Sequence, residues 1–153
     1  MSQPPGIPAS SELSPHLFEY LGFTLTKVQE RFKAVSNVRL APFGIEVMHL
    51  SLLGVLALEG PHTQIELARK SGRDRSSMVG MVDQLENLKL LERQPNPQDR
   101  RANILRITPE GEWVVHQGKT LLEQAQSKFL AVLPESDRAC FLNSLQTLVL
   151  EHF

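Results

Sequence analysis

The segment "TQIELARKSGRDRSSMVGMVDQLENLKLLER", Thr63 to Arg93, contains two helical patterns separated by a short turn. In the first, Thr63 and Glu66 have the spacing of a capping box, and the short helix ends at Ser71-Gly72. Asp74 can cap the second helix. The apolar residues of that helix recur every three or four positions and form one face: Met78, Met81, Val82, Leu85 and Leu88. The segment therefore predicts two consecutive helices joined by a tight turn that contains glycine.

Two strand-like runs follow the second helix. They are "LLERQ" at residues 90–94 and "NILRIT" at residues 103–108, and the intervening Pro95–Ala102 is predicted to form a hairpin. Thr108-Pro109-Glu110 combines an N-cap residue, a proline and an acid, which is typical of a helix start. We expect this helix to reach about Leu133, before Pro134. A final helix then carries an apolar face at Phe141, Leu142, Leu145, Leu148 and Val149.

Two further helices precede the segment. Ser14-Pro15 predicts the start of a long amphipathic helix, which is interrupted at Pro42 and Gly44. The next run, "IEVMHLSLLGVLALEG" at residues 45–60, is apolar on nearly all sides, as in a helix buried between layers. Gly60-Pro61 ends it. The predicted order is long helix, helix, short helix, turn, helix, hairpin, long helix, helix.

The composition is typical of a globular chain. With 153 residues, 41% of them hydrophobic and 22% charged, the chain is long enough for one domain with a core. Its longest apolar run, Leu50–Leu58, is too short to cross a bilayer, and the first dozen residues lack the features of a signal peptide. We therefore expect a disordered N-terminal arm, no membrane association and a cytoplasmic location. A single cysteine, Cys140, excludes an internal disulfide, and we expect it to be a buried, inert thiol.

The charge is distributed unevenly along the chain. Arg69 to Arg106 contains nine basic and five acidic residues, a net charge of +4, whereas the rest of the chain carries -5. A basic segment in a chain with a net charge of -1 indicates that this part of the protein meets a polyanion. A short helix, a tight turn and a second helix are the parts of a helix-turn-helix, whose second helix enters the DNA major groove. A hairpin directly after that helix makes it a winged helix.

With these features, the chain resembles the MarR family of transcriptional regulators. The resemblance is carried by "GIEVMHLSLLGVL", by the segment quoted first and by "DRRANILRITPEGE", and it extends from Ser14 to the C-terminus. The wing pattern typical of the family is present as Asp99, Arg101, Ile107, Thr108 and Gly111. The predicted fold is mainly α with a small β-hairpin wing, a winged helix-turn-helix plus a helical dimerisation region.

The resemblance implies a homodimer in which the N-terminal helix and the last two helices of each subunit interlock. Apolar terminal helices independently need something to bury against, and packing within one chain is the alternative to a second subunit. We assign residues 1–13 to the arm, residues 14–42 and 109–153 to dimerisation, and residues 43–108 to the winged helix.

Candidate DNA contacts follow from this interpretation. Arg101 is placed to enter the minor groove, and Asp99 to orient an arginine, with a solvated turn acid as its alternative. Arginines beside the second helix are candidates for phosphates or are simply solvated. Two positions depart from the family: Gly80 implies close backbone approach or tolerance, and Lys89 stands where a helix-ending glycine is usual. The predicted set is Arg73, Arg75, Ser76, Ser77, Val79, Gly80, Gln84, Lys89, Asp99, Arg100 and Arg101.

The resemblance also implies a response to a small-molecule effector or an oxidant. The start of the first helix has no cysteine for oxidant sensing. Candidate ligand-binding residues are Tyr20, Arg39, His49, Trp113 and His116, although residues such as His49 and Trp113 are more often part of a core than ligand contacts. The five histidines lack metal-ligand spacing, so we expect no cofactor and no dedicated metal site; His plus Glu across a dimer is the alternative.

The leading hypothesis is a dimeric, sequence-specific transcriptional regulator, a repressor that binds a pseudo-palindromic operator and is released by an effector. Its expected partners are double-stranded DNA, a second copy of the chain and the effector. The alternative is a winged-helix protein-interaction module without DNA binding, which the basic segment disfavours. The sequence contains no glycine-rich phosphate loop, nucleophile motif or clustered carboxylate pair, so we do not expect an enzyme.

Overall fold

The computed structural model of the protein describes residues 12–97 and 102–151. Most of the predicted arm, residues 1–13, therefore lies outside the described residues. A 3₁₀ helix, Pro15–Glu19, comes first. The remaining helices and strands follow in chain order: α1 (Leu21–Leu40), a second 3₁₀ helix (Ala41–Phe43), α2 (Val47–Glu59), β1 (His62–Thr63), α3 (Gln64–Lys70), α4 (Arg75–Asn87), β2 (Leu91–Pro95), β3 (Asn103–Ile107), α5 (Pro109–Leu130) and α6 (Glu135–Leu150).

The first helix begins later than the sequence predicts. Ser14 makes no side-chain capping bond, and the backbone at Tyr20 is extended, which separates the 3₁₀ helix from α1. The Thr24 hydroxyl donates to the Phe18 carbonyl, and the Phe18 and Phe23 rings meet edge to face at 5.8 Å. These contacts fold the short helix back against the start of α1. The prediction of one continuous helix from Ser14 was wrong because these contacts compete with helical hydrogen bonds.

Helix α2 runs through the core of the protein. Its buried residues are His49, Leu50, Leu52, Leu53 and Leu56. The opposite face is open, with Leu58 88% exposed, so the prediction that nearly all sides are buried was wrong. No single described helix is long and apolar enough to cross a membrane; Leu21–Phe43 and Val47–Glu59 reach that length and composition only as a pair, bent by 68°.

The strands form a three-stranded antiparallel sheet in the order β1-β3-β2. The predicted hairpin is present, with Leu91 opposite Ile107 and Arg93 opposite Leu105. Strand β1 is a two-residue addition, His62 opposite Leu105, that the sequence analysis missed because two residues carry no periodicity. The sheet places the hairpin beside α4, since the buried Leu91 and Leu105 join the same core as α2 and α4.

The last two helices differ in how they are covered. Helix α5 contacts both α1 and α2, and it packs so closely on α2 that a Cβ added at Gly118 would lie 2.7 Å from Leu50. It ends at Leu130, three residues before the predicted Leu133. None of the residues of α6 is buried. Cys140, on α6, is exposed, which corrects the prediction of a buried thiol: within this chain the helix is held along one side only.

Candidate DNA-binding surface

The turn between α3 and α4 is built by local hydrogen bonds. The Thr63 N–H donates to the Glu66 carboxylate at 2.8 Å, and the Glu66 N–H donates to the Thr63 hydroxyl at 3.3 Å, which confirms the predicted capping box. After α3 the chain reverses at Gly72, whose φ of 63° favours glycine, and the Arg73 N–H donates to the Ala68 carbonyl. Helix α4 therefore leaves the turn at an angle to α3, as a helix-turn-helix requires.

Asp74 caps α4 and binds both serines that follow. Its carboxylate accepts from the Ser77 N–H at 2.9 Å, from the Ser77 hydroxyl at 2.7 Å and from the Ser76 hydroxyl at 2.6 Å. The Ser76 hydroxyl, followed by the two Ser77 donors, holds the pKa of the Asp74 carboxyl far below its usual range. Because each hydroxyl has one hydrogen, Ser76 and Ser77 have only acceptor lone pairs left for another molecule.

The outer face of α4 is uncovered. Val79 is 45% exposed, and a Cβ added at Gly80 would meet no atom of residues 12–97 or 102–151 within 4 Å. Met78, Val82 and Leu85 lie on the other face and are buried in the core. Arg73 and Arg75, at the start of this helix, are exposed and form no salt bridge with any described residue. An open helical face with free cations at its N-terminus is thus available to an anionic partner.

The far end of α4 is joined to its surroundings by two residues of the predicted set, one through its backbone and one through its side chain. Lys89 has the left-handed conformation expected where a glycine is usual, with φ 59°, and its carbonyl accepts from the Thr108 hydroxyl at 2.7 Å. Gln84, which we expected to read a base, donates instead to the Gly44 carbonyl at 3.1 Å. The Gln84 amide is therefore already engaged within the chain.

The wing is attached to α4 by an arginine that the sequence analysis did not single out. The Arg93 guanidinium on β2 donates to Asp83 at 2.5 Å and to Glu86, both on α4. Two acids spaced three residues apart on a helix and an arginine soon after were the only signal in the sequence. Beyond β2 and β3, the Asn96 N–H donates to the Ala102 carbonyl. Asp99, Arg100 and Arg101 lie outside the described residues.

Comparisons with known proteins agree with this geometry. A sequence profile of the MarR family matches residues 43–102. A transcriptional regulator of the MarR family from Rhodococcus sp. RHA1 is 30% identical and aligns over 92% of this chain and 99% of its own, with a TM-score of 0.77. The chain belongs to the MarR family. The transcriptional repressor CouR, solved bound to a 23-mer DNA duplex, is 29% identical over 90% of this chain and 98% of its own, at a TM-score of 0.81.

The apo form of wild-type MarR from E. coli is also similar. It is 25% identical and aligns over 86% of this chain and 96% of its own, with a TM-score of 0.72. The predicted MarR resemblance and the predicted winged-helix fold are both confirmed. The protein is a winged helix-turn-helix transcriptional regulator, and the surface of α4 and β2–β3 is its candidate DNA-binding surface.

In this MarR-family chain the five candidate effector residues do not share one site. Tyr20 and Arg39 lie at opposite ends of α1, roughly 28 Å apart at 1.5 Å per residue, and both are exposed. Trp113 is 51% exposed and meets the Phe43 ring edge to face at 5.7 Å, so it is not a core residue. His116 is exposed on α5. The described residues contain no group of three or more metal-ligating side chains.

His49 alone among these candidates is buried. Its Nδ1 accepts from the Glu46 N–H at 3.1 Å as part of a capping box, while its Nε2 has no hydrogen-bond partner among the described residues. Burial lowers the pKa of the imidazole, against the opposing effect of the Glu46 carboxylate. The hydroxyl of Ser36, on α1, is also buried and has no partner in the part of the chain that the structure describes. Buried polar atoms usually have a hydrogen-bond partner, so each of these two atoms has unused capacity for a hydrogen bond.

Helices α1, α5 and α6 border an apolar groove of about 360 Å³. The Phe32 and Phe129 rings meet edge to face at 5.2 Å within it. The aliphatic and aromatic side chains that line it include Leu25, Val28, Phe32, Phe129, Phe141 and Leu145.

Proposed function

We propose that this MarR-family regulator is a homodimeric repressor that binds a pseudo-palindromic operator and is released by a small-molecule effector. Each subunit lays α4 in a major groove and brings its wing to the adjacent minor groove. Phosphates supply much of the affinity, and base edges supply specificity. The DNA-binding set is the one predicted from the sequence, with Gln84 moved to a positioning role.

One observation carries the DNA-binding part of this proposal: the outer face of α4 is open, and the cations at its start have no partner among the described residues. The core buries Met78 and Val82 and leaves Val79 and Gly80 uncovered, so the helix presents its polar and small residues outward. An exposed valine can contact a thymine methyl, and Arg73 and Arg75 can contact phosphates. CouR, which is a repressor solved on duplex DNA, supports the same role for this chain.

The dimer is supported by uncovered apolar surface on the helices assigned to dimerisation. Helix α6 buries none of its residues, and Leu148, Val149 and Leu150 are 47%, 65% and 76% exposed. The groove between α1, α5 and α6 adds to this surface. Apolar patches of this kind mark interfaces, and a second copy with the same surface would cover them. Residues 14–42 and 109–153 are accordingly proposed as the dimerisation region and residues 43–108 as the winged helix.

The effector site is proposed at the junction of α1 and α2, around His49. Asn37, next to Ser36 on α1, accepts from the Val47 N–H at the start of α2 at 3.0 Å. The Nε2 of His49 and the hydroxyl of Ser36, each without a partner among the described residues, are the proposed contacts for polar groups of the effector. This junction adjoins the turn at Gly44, to which Gln84 of the recognition helix is bonded, so a ligand here can shift α4. Trp113 and Phe43 flank the same turn.

Selection of duplexes from a random-sequence library tests DNA binding and identifies the preferred operator sequence in the same experiment. We expect the wild-type protein to select sites with two related half-sites and to bind them with a steep salt dependence. Arg101→Ala should weaken binding most where the flanks are A·T-rich, whereas Arg31→Ala, on α1, should leave it unchanged. Binding without salt dependence would favour the protein-interaction alternative.

The dimer has its own experiment. Phe141→Asp with Leu145→Asp places two carboxylates in the apolar groove, and we expect sedimentation analysis to show a monomer where the wild-type protein is a dimer. Val132→Asp, at a site that is 87% exposed on the α5–α6 turn, is the control and should stay dimeric. A wild-type protein that sediments as a monomer at micromolar concentration would refute the dimer.

A further inference from the structure

We propose that Arg93, held by Asp83 and Glu86, is a positioning residue that sets the direction of the wing relative to the recognition helix. The inference rests on the proposed DNA binding, because the wing and α4 must reach two grooves of one duplex together. We call Arg93, Asp83 and Glu86 the wing clamp. None of the three belongs to the predicted DNA-binding set.

Three hydrogen bonds make up the wing clamp. The Arg93 Nη2 donates to the Asp83 Oδ1 at 2.5 Å, and the Arg93 Nη1 donates to the Glu86 Oε2. The backbone N–H of Arg93 donates to the other Glu86 oxygen, Oε1, at 3.2 Å. Both ends of the guanidinium fork and the strand backbone are thus bound to the same helix. A planar, forked donor fixes direction as well as distance, which a lysine could not do.

The wing clamp acts at the base of the hairpin. Arg93 is opposite Leu105, which is 1% exposed, so the strands are anchored to the core at this level. Pro97 is the last described residue on the β2 side of the hairpin. It lies four residues beyond Arg93, about 13 Å away at 3.3 Å per residue. A tilt of about 10° at Arg93 would move that point by about 2 Å, enough to break a hydrogen bond to DNA. A small change in the angle of the wing at Arg93 therefore produces a larger displacement toward the tip of the wing.

The wing clamp also neutralises carboxylates on the recognition helix. The side chains of Asp83 and Glu86 are 52% and 38% exposed, and both would repel a nearby phosphate if they were unpaired. Arg93 supplies one positive charge to the pair, and its own side chain is 25% exposed. Loss of Arg93 would therefore remove both the orientation of the wing and the compensation of the two negative charges. Both losses weaken DNA binding, so a substitution of Arg93 does not distinguish them.

The variant Asp83→Ala/Glu86→Ala separates the two effects. It removes two negative charges near the DNA and frees a cation, so electrostatics alone would tighten DNA binding. Loss of positioning would weaken binding instead. The two effects have opposite signs, which makes the double variant decisive. Glu92→Ala is the matched control: Glu92 neighbours Arg93 on β2, but its carboxylate accepts from Gln94 and is outside the clamp.

The experiment uses duplexes selected by the wild-type protein and measures affinity at several salt concentrations. We expect the double variant to bind about tenfold more weakly. The slope of log affinity against log salt should also fall by about 0.9 for each phosphate contact that the wing loses. Glu92→Ala should bind equally or more tightly. Thermal unfolding and amide hydrogen exchange are also measured on the proteins without DNA. In the double variant we expect faster exchange than in the wild-type protein for β2–β3 and unchanged exchange for α3–α4.

Two outcomes would overturn the inference, and they are distinguishable from failure of the proposed function. Tighter binding by the double variant, or hairpin exchange equal to that of the wild-type protein, would refute the wing clamp while leaving DNA binding intact. Absence of salt-dependent duplex binding by the wild-type protein would refute the proposed function and the DNA role of the clamp together. The variant Arg93→Glu/Asp83→Arg reverses one ion pair. Tighter DNA binding by this variant than by Arg93→Glu alone would support the clamp further.

Discussion

The side-chain amide of Gln84 donates to the backbone carbonyl of Gly44 at 3.1 Å, joining the recognition helix to the turn before α2 across forty positions of sequence. Gly44 has a φ of 69°, and a Cβ added there would lie 3.4 Å from the side chain of Leu88, one turn after Gln84. The far half of α4 is thus docked on the turn that follows α1. Movement of α1 would reach the DNA-binding helix through this contact.

Gln84→Ala should lower the free energy of unfolding by about 0.5–1.5 kcal/mol, the usual net worth of one hydrogen bond. DNA affinity should fall by a similar factor on every member of a panel of single-base operator variants, because the helix shifts as a unit. Urea unfolding and binding titrations measure the two effects. Asn87→Ala, an exposed polar site on the same helix, is the control. A loss confined to one base pair would mean that Gln84 reads that base.

Gly80→Ala should raise the free energy of unfolding by about 0.5–1 kcal/mol, because a helical glycine is replaced and the new methyl meets nothing. Duplex binding should nevertheless weaken, since the methyl stands on the face proposed to enter the groove. Thermal unfolding and DNA titration of the same preparation show both effects. Unchanged DNA affinity would indicate that the glycine is merely tolerated at this position.

Gly111→Ala should destabilise the fold by about 3 kcal/mol or more, since overpacking against a backbone cannot relax easily. An added Cβ would lie 2.0 Å from the Leu90 carbonyl oxygen and 2.7 Å from the Ile107 side chain. This contact joins the start of α5 to the base of the wing. Denaturant unfolding is the measurement, and Gly54→Ala, which meets nothing within 4 Å, is the control. Equal stability of the two variants would contradict the packing described for Gly111.

Lys89→Gly should stabilise the protein by about 1 kcal/mol, because glycine adopts the left-handed conformation without the cost of a Cβ. If Lys89 contacts a phosphate, as proposed, the same change should reduce the salt slope of DNA binding by about 0.9. Lys89→Arg keeps the charge and should change neither quantity appreciably. A salt slope unaffected by Lys89→Gly would place this lysine away from the DNA.

The stability of the protein should fall as the pH is lowered through the titration of His49. Burial lowers the folded-state pKa of His49 below the ordinary value of 6.5, so the unfolded chain binds the proton first. Well above pH 6.5 the protonation of His49 therefore does not affect the free energy of unfolding. The free energy of unfolding then decreases as the pH falls from 6.5 to the folded-state pKa. His49→Gln retains a capping acceptor and does not titrate in this range.

Melting temperatures of the wild-type protein and of His49→Gln between about pH 7.5 and about pH 5.5 check this prediction. The wild-type melting temperature should fall more steeply than that of the variant. His116→Gln, the same change at an exposed histidine, should retain the wild-type profile. Parallel pH profiles for wild type and His49→Gln would show that this histidine is not the source of the dependence.

Local chemistry made most of the elements predictable. The capping box of Thr63 and Glu66, the Asp74 cap and the turn at Gly72 each depend on residues within a few positions of one another. The start of α1 was the exception, because the contacts of Phe18 and Thr24 compete with continuous helix. Strand β1 was missed because only its pairing with β3 makes it a strand.

The sequence by itself determined the order of elements, the apolar faces and the choice of α4 as the proposed recognition helix, since periodicity and caps are encoded locally. Only the tertiary structure decided what individual side chains do at the surface. Gln84 and Arg93 find their partners on other elements, and the exposure of Cys140 depends on how little of the chain packs on α6. Such contacts join residues distant in sequence, and a polar side chain takes its role from whichever partner the fold brings within hydrogen-bonding distance.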